Sequence, residues 1–496
     1  MFQSLELTCP TEPLVCSLLD QAEAQPHHPA LLSETGPISY ATLASMVRAA
    51  AARIRGRGLG SGERVLLCGP NSPELAAVYF AVHAAGCMAV PLDADIPPAA
   101  AQWIAEDSGA RLALTVRNLA LPIPTEDLRA ICRPAGGKDG HPVCGLDDMA
   151  DLLYTSGTTG RKKGVVLTQR NIAQAALNIN IFIRPSPADI EVVPIPLSHS
   201  FGLGRLRCMA QAGHTLALEA GMRNPARVLN RVLELKATGL ALVPAGFDLI
   251  LSMTKDQLAE ARWHLRYIEI GSAAMRPEAR QKLMELLPRT RICHHYGLTE
   301  GSRAAFIEYH ADRHKVSSIG RAAPNVRIAV HDADGRPVPA GQRGELVVLG
   351  GMVMREYWKQ PELTGQALRD GWLRTGDWGY QDDEGYLFLA GRESDVVNVG
   401  GLKVSPEEIE QHLNLHPAVA ESACVGVPDP SGITGEIVKA CVVMRENVAE
   451  EELVAWLRKR LEEFKIPRVW QRVDQIAKTP SGKIQRHRMR EGTGAL

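Results

Sequence analysis

The stretch Tyr154-Thr-Ser-Gly-Thr-Thr-Gly-Arg-Lys-Lys-Gly-Val165 lies between two short apolar runs, Asp151-Leu-Leu-Tyr154 and Val165-Val-Leu-Thr168. Both runs read as strands, so the stretch predicts a polar loop joining them. From Thr155 to Arg161 it holds two glycines, four hydroxyl residues and one arginine, and Lys162, Lys163 and Gly164 follow. Glycine lets a backbone approach closely, hydroxyls and amides donate hydrogen bonds, and lysine adds a point charge. Such a loop suits a polyphosphate. It is not a Walker A loop, because no Gly-Lys-Ser/Thr falls at the required spacing and no strand-to-helix turn flanks it. A polar surface hairpin is the plain alternative.

Working outward from the loop, strands and helices alternate. Ala41 to Arg57 predicts a helix closed by Gly56-Arg-Gly-Leu-Gly-Ser-Gly62, and Arg64 to Cys68 a strand. Pro73 to Gly86 predicts a helix behind Asn71-Ser72, with proline in its first turn. Cys87 to Val90 (strand), Pro97 to Ser108 (helix) and Arg111 to Thr115 (strand) continue the pattern. Downstream come a helix at Asn171 to Ile183, a strand breaking into a turn at Val192 to Leu203, and strands at Leu240 to Val243, Leu265 to Ile270 and Arg291 to His294. Small or polar residues follow two of these strands, in Gly271-Ser-Ala-Ala274 and Tyr296-Gly-Leu-Thr-Glu300. In open α/β sheets ligands bind at the carboxyl ends of strands.

From about Val326 the rhythm becomes antiparallel, at Val326 to His331 and Gly344 to Leu349. Past Asp395 a new unit begins at Ser405-Pro-Glu-Glu408, a predicted capping box with proline at the first helical position. Two strands, a helix from Glu450 to Glu463 and a last strand complete it. The expected fold is therefore a large N-terminal α/β domain, 1–394, with parallel-sheet subdomains and a distorted antiparallel part. A small α+β C-terminal domain, 395–496, follows.

The bulk properties agree with such a chain. Its 496 residues exceed what one core can hold. A formal net charge of −1 gives no support for a nucleic-acid partner. The ten cysteines form no C-x-x-C pair and fit a reducing cytoplasm. Neither a signal peptide nor a transmembrane segment is expected.

Five motifs in order then resemble one family. They are Thr155-Ser-Gly-Thr-Thr-Gly-x-x-Lys-Gly164, Tyr296-Gly-Leu-Thr-Glu300, Arg374-Thr-Gly-Asp377, Gly391-Arg392 with Asp395, and Pro480-Ser-Gly-Lys-Ile484. Together they are similar to the adenylate-forming enzymes: acyl-CoA synthetases, aryl-CoA ligases, peptide-synthetase adenylation domains and firefly luciferase. The resemblance runs from about Ser39 to Arg488. It implies that MgATP and a small carboxylic acid give acyl-AMP and pyrophosphate. A thiol of CoA, or of the phosphopantetheine of an acyl carrier protein, then takes the acyl group.

Residue by residue, the resemblance assigns Ser156, Thr158, Thr159 and Lys163 to the β- and γ-phosphates, with Thr155, Gly157 and Gly160 also among the ATP-binding residues. Thr299 is assigned to the α-phosphate and Glu300 to Mg²⁺, a hard cation that takes carboxylate and phosphate oxygens. Tyr296 is expected against adenine with Gly271, Ser272 and Ala273 on its other side, His294 and Gly297 among the ATP-binding residues, and Asp377 and Arg392 at the ribose. Lys483 is expected to bridge the acid and the α-phosphate, offsetting charge as the carboxylate attacks. Asp395 is the implied hinge, with Gly400, Gly401 and Lys403 on the pantetheine. The loop departs from the family at Lys162, where proline is usual.

The acid is read from Leu197-Ser-His-Ser-Phe-Gly-Leu203. His199 stands where peptide-synthetase domains place an aspartate that pairs with an amine, which disfavours a free α-amino acid. Phe201, Ala245, Phe247 and Ala274 are candidate walls for a fatty or aryl acid, and equally candidates for plain core. The wording around Gly391 to Glu410 resembles CoA ligases. Val90-Pro-Leu-Asp93 and Glu106-Asp-Ser-Gly109 resemble peptide-synthetase domains. A stand-alone enzyme loading a carrier protein, a silent nucleotide-binding protein and a luciferase-type oxygenase are the alternatives.

Overall fold

The alternation of strands and helices builds two sheets rather than one. The structure, a computed structural model, describes residues 8–133, 141–156, 162–392, 395, 397–399, 402–430, 435–479 and 484–490. The chain divides into two compact units, Met1–Ile328 with Val348–Leu373, and Ala329–Val347 with Arg374–Leu496. This division falls inside the strands Val326–His331, Gly344–Gly350 and Trp372–Gln381. The fold is a large N-terminal α/β domain with mixed sheets and a smaller C-terminal domain.

In the first unit a seven-stranded sheet runs Glu356–Tyr357, Lys162–Thr168, Met149–Ser156, Met88–Leu92, Arg64–Cys68, Leu112–Thr115, Thr125–Asp127. From Met149–Ser156 to the far edge its pairs are parallel, while Met149–Ser156 and Lys162–Thr168 form an antiparallel hairpin. The nine-stranded sheet is parallel from Arg291–Tyr296 through Tyr267–Ile270, Gly239–Leu242, Ile190–Val193 and Thr215–Leu218 to Pro29–Ser33. Antiparallel strands close both its ends.

Strand residues alternate between faces. Val65 and Leu67 belong to the largest apolar cluster, which also takes Leu31 and Leu216 of the other sheet. Leu66 and Cys68 join a cluster with Ile104 and Ala105 of the helix Pro98–Ser108. A layer of helices thus lies between the sheets, and further helices cover their outer faces. In the middle layer, Pro73–Ala84 is buried at every residue but Glu74. Its start is as the sequence implies, with Ser72 Oγ accepting from Leu75 N–H at 3.1 Å and Pro73 in the first turn. Helix Gln169–Ile183 starts with a reciprocal box between Thr168 and Asn171.

The nine-stranded sheet buries charge. Glu191 and Glu269 have no exposed surface. Arg205 donates to both Glu191 oxygens at 2.6 Å and to Glu269 at 2.8 Å. Arg303 donates to Glu269 at 3.1 Å, and Tyr267 OH to Glu191 at 2.7 Å. Burial alone would raise both carboxyls. Arg205 and His214 outweigh it at Glu191, which falls to about 2, and Arg303 with Arg205 outweigh it at Glu269. A second buried set joins Asp151 to His83, Tyr79 and Arg207 beneath the hairpin.

In the second unit Val419–Pro428 pairs antiparallel with Glu436–Met444, which pairs parallel with Val469–Arg472. Helices Pro406–Asn414 and Glu450–Arg458 pack on this sheet through Ile409, Leu413, Leu453 and Leu457. The expected capping box at Ser405 does not form. Ser405 makes no side-chain cap bond, its Oγ would lie 2.5 Å from a Cβ on Gly391, and Glu408 is held by Lys465 Nζ at 2.9 Å. The helix at Glu450 ends at Arg458, short of the expected Glu463.

Replacing Arg205 with alanine leaves two buried carboxylates short of a cation. Urea unfolding should show a loss of about 3–5 kcal/mol. A loss below about 1 kcal/mol would mean that Arg303 alone balances the sheet.

Candidate functional site

The hairpin carries the first part of the site. Thr155 stands opposite Lys163 in its ladder. Gly164 is required by close packing, since a Cβ there would fall 2.8 Å from Leu152 Cδ1 and 3.1 Å from Trp358 Cβ. Tyr154 OH donates to Asp107 at 2.5 Å, and Trp358 Nε1 donates to the Asp107 carbonyl at 3.0 Å. The expected phosphate residues Gly157, Thr158, Thr159 and Gly160 lie outside the described residues, as does the side chain of Ser156.

A short segment brings a second motif to this hairpin. Glu356–Tyr357 pairs with the hairpin, Tyr357 opposite Val165, and Trp358 N–H donates to Gly164 O at 2.8 Å. On its other side Met354 N–H donates to Glu300 O at 2.8 Å, and Val353 bridges Gly301. Tyr357 OH then donates to Glu300 Oε1 at 2.8 Å, while Lys163 Nζ lies 5.6 Å from the centre of the Tyr357 ring. One carboxylate and one cation, 137 residues apart in sequence, thus meet around one phenol. This set fits Mg²⁺ with a polyphosphate. Magnesium takes one or two carboxylates and fills its octahedron with phosphate and water oxygens. Lysine binds phosphate as a point charge.

The parallel strands supply the next part. Gly271 follows Tyr267–Ile270, and a Cβ there would fall 1.9 Å from the His295 ring. Only glycine lets that ring lie so close. Ser272 adopts a left-handed φ of 76°. His294 Nε2 is 2.9 Å from Ala273 O, which can only accept, so Nε2 carries the proton. The other nitrogen, Nδ1, accepts from Tyr309 OH at 2.5 Å. Burial, then neighbouring His295, lowers His294 to about 3, which keeps the ring neutral and the Gly271-Ser-Ala273 turn tied to the next strand. Tyr296, Gly297 and Thr299 follow on the same strand and its turn, half-buried.

His199 immediately precedes helix Ser200–Ala212, with Nε2 3.1 Å from Asp93 Oδ1. Ser198 Oγ donates to the same oxygen at 2.5 Å. Arg303 donates to Ser200 O and Phe201 O at 3.0 Å and stacks on Phe201, which also meets His295 edge-on. Ala245 and Ala274 are exposed. Phe247 is fully buried among Val228, Leu229 and Ile250, so its side chain is core.

In the second unit, Asp377 is buried and opposite Arg392. Thr375 Oγ1 accepts from Asp377 N–H at 3.0 Å, and Glu345 holds both Arg374 Nε at 2.7 Å and Gly376 N–H at 3.0 Å. Asp395 is bound by Arg486 Nε at 3.1 Å, and Arg486 also grips Glu410 and the Cys424 carbonyl. Nearby Glu407 is pushed up to about 7, chiefly by burial, with Glu410, Asp377 and Asp395 adding repulsion against the pull of Arg486. Lys483, Gly400 and Gly401 lie outside the described residues, as do the side chains of Arg392 and Lys403.

The AMP-binding enzyme model matches residues 18–358, and the AMP-binding enzyme C-terminal domain matches 408–483. The chain belongs to the AMP-binding enzymes. A feruloyl-CoA synthase of Amycolatopsis sp is 32% identical over 491 residues, covering 96% of this chain and 98% of that protein. The long-chain-fatty-acid–CoA ligase FadD13 of Mycobacterium tuberculosis is 31% identical over 473 residues, covering 92% and 93%. The crystal structure of ATP-bound MatB from Rhodopseudomonas palustris superposes with a TM-score of 0.90 at 28% identity, covering 97% and 98%. This AMP-binding enzyme is accordingly an ATP-dependent acid–thiol ligase. Among its described residues no helix is long and apolar enough to cross a membrane.

Sequence reading missed Tyr357, Arg303, Glu345 and Arg486. Each acts on residues distant in sequence, so no local pattern marks it.

Unfolded histidine takes a proton near pH 6.5, whereas His294 resists until about pH 3. Its contribution to stability is full above about pH 6.5 and drains as pH falls toward 3. Between pH 6 and 4 the wild type should lose up to roughly 1.4 kcal/mol per pH unit more than His294→Gln does. Parallel stability–pH curves from urea titrations would contradict the neutral assignment.

Proposed function

We propose that this enzyme activates an apolar fatty or aryl acid and passes it to coenzyme A in the cytoplasm. The observation that carries the reading is the meeting of Lys163 and Glu300 around Tyr357, at the end of a loop suited to polyphosphate. A carboxylate oxygen of the acid attacks the α-phosphorus of ATP, the bond to the β-phosphate oxygen breaks, and acyl-AMP and pyrophosphate form. The thiol then attacks the acyl carbonyl, loses its proton, and AMP leaves.

Thr155, Ser156, Gly157, Thr158, Thr159, Gly160 and Lys163 hold the departing pyrophosphate end, and Thr299 the α-phosphate. Glu300 holds Mg²⁺, which neutralises charge on the phosphate oxygens. Adenine rests between Tyr296 and the Gly271-Ser-Ala273 turn, beside Gly297, with His294 fixing that turn from behind. Asp377 accepts from the ribose hydroxyls, with Arg392 beside it. Lys483 bridges the acid and the α-phosphate. His199, Phe201, Ala245 and Ala274 border the acid. Asp93 is already engaged by Ser198 and His199, which supports an acid without an ammonium group.

Residues 395–496 serve both steps, with Asp395 as hinge and Gly400, Gly401 and Lys403 meeting the pantetheine in the second. A phosphopantetheine carrier protein is the second candidate acceptor.

Acid-dependent exchange of labelled pyrophosphate into ATP, run over fatty and aryl acids, tests the first step. Exchange with none of them would leave a silent nucleotide-binding protein. Lys483→Ala should lose exchange by about 10²-fold or more while still forming thioester from supplied acyl-AMP. Equal loss of both refutes the division of labour. Offering CoA and holo carrier protein in competition identifies the acceptor, with CoA expected.

A further inference from the structure

Tyr357 is bound on every side, yet the chemistry does not touch it. Its N–H donates to Thr364 Oγ1 at 2.9 Å, its strand pairs with the hairpin, and Val353 and Met354 just before the strand bond to the turn at Glu300. Its hydroxyl is committed to Glu300 Oε1 at 2.8 Å, and its ring carries Lys163 Nζ at 5.6 Å from the centroid. The two charges therefore use different parts of one side chain, the carboxylate its edge and the ammonium the ring. Among the described residues no carboxylate lies within ion-pair distance of Lys163, and Glu300 pairs with no cation.

A lysine and a glutamate that converge on one site have an obvious alternative, which is to bind each other. That pair would spend the lysine's charge before a phosphate arrives and occupy the carboxylate before a cation does. A phenol answers both charges without neutralising either. Its O–H donates to the carboxylate and leaves that group's other lone pairs open. Its π face attracts the ammonium and leaves all three N–H donors free.

We propose that Tyr357 is a positioning residue that keeps Lys163 and Glu300 apart, holding the ammonium ready for polyphosphate and the carboxylate ready for the metal. This rests on the reading of Lys163 and Glu300 as phosphate and metal groups.

Binding of ATP without acid, by calorimetry with EDTA and again with saturating Mg²⁺, separates the two jobs. The affinity in EDTA reports on Lys163, and the gain on adding Mg²⁺ reports on Glu300. Tyr357→Phe keeps the ring and loses the hydroxyl. It should cut the Mg²⁺-linked gain about tenfold, the value of one hydrogen bond to a charged group, and leave the EDTA affinity within about twofold. Tyr357→Leu loses both functions and should weaken the EDTA affinity as well, by about fivefold. In that variant a Lys163–Glu300 ion pair should form, so adding Glu300→Gln to it should restore part of the EDTA affinity.

An unchanged Mg²⁺-linked gain in Tyr357→Phe overturns the hydroxyl's role. Equal EDTA affinities in the Phe and Leu variants, or no restoration by Glu300→Gln, overturn the ring's role. Single variants separate this from the site reading. If Glu300→Gln alone keeps the full Mg²⁺-linked gain, or Lys163→Ala alone keeps the EDTA affinity, the assignment of those two residues fails instead. Matching near-UV circular dichroism and melting temperatures of wild type and Tyr357→Phe establish that the comparison is between folded proteins.

Discussion

Glu191 and Glu269 lie in parallel strands, cut off from water, and the site depends on how their charge is answered. Burying an ion without a partner costs several kcal/mol, so each carboxylate must be matched. Arg205 binds both, and Arg303 adds a second cation at Glu269. Two anions and two cations balance with His295 neutral, and burial with the push of Arg303 lowers His295 in that direction. The balance has a geometric result. Arg303 can reach Glu269 only through the space above Gly204, where a Cβ would fall 2.4 Å from its guanidinium. From there it holds the first carbonyls of the helix behind His199. The Glu269 oxygen that accepts from Arg303 Nε also lies 2.8 Å from His295 Nδ1, so the ring over Gly271 and the helix behind His199 meet at the same carboxylate.

The parts legible in the sequence are those where local chemistry sets the outcome. Ser72-Pro73 starts a helix because a hydroxyl and a ring of fixed φ do so in any context. The hairpin at Tyr154 follows from two apolar runs around a loop of glycines and hydroxyls. Glu345, which holds the motif at Arg374 to Asp377, is by contrast not foreseeable from local pattern. Arginines were the least legible residues. Arg205, Arg207 and Arg303 look like solvated surface charge in a helix or a turn, and all three are buried. Their carboxylate partners come from strands 14 to 64 residues away, beyond what a local pattern shows. Arg486 is the same case, buried within a tail that reads as basic and exposed.

Ser405 shows the opposite error, a strong local signal overridden by packing. Serine, proline and two glutamates write a helix start, and the helix does start there. The reciprocal hydrogen bonds do not form, because Lys465 takes Glu408 and the hydroxyl turns toward Gly391. Pro406 alone, with its fixed φ and missing N–H, suffices to begin the turn. A neighbouring consequence falls on Glu407, which shares one arginine with Asp395 and Glu410 and stands near Asp377. Burial first, and then too many carboxylates for one cation, leave Glu407 to hold its proton up to about pH 7.

The nucleotide end and the acid end differ in how tightly physics constrains them. Phosphates and a divalent cation demand charge of given sign at given places, and the residues proposed for the nucleotide end are tied down by other residues. Lys163 and Glu300 each lean on Tyr357, and His294 is fixed at both nitrogens. An apolar acid demands only volume. Ala245 and Ala274, proposed to border the acid, are exposed methyl groups on a helix start and a loop. A change from alanine to a larger side chain there alters the space by a few methylenes, worth about 1–3 kcal/mol of discrimination, without disturbing the charged network. Two relatives about a third identical to this chain are a feruloyl-CoA synthase and a long-chain-fatty-acid–CoA ligase, whose acids differ above all in the volume they need.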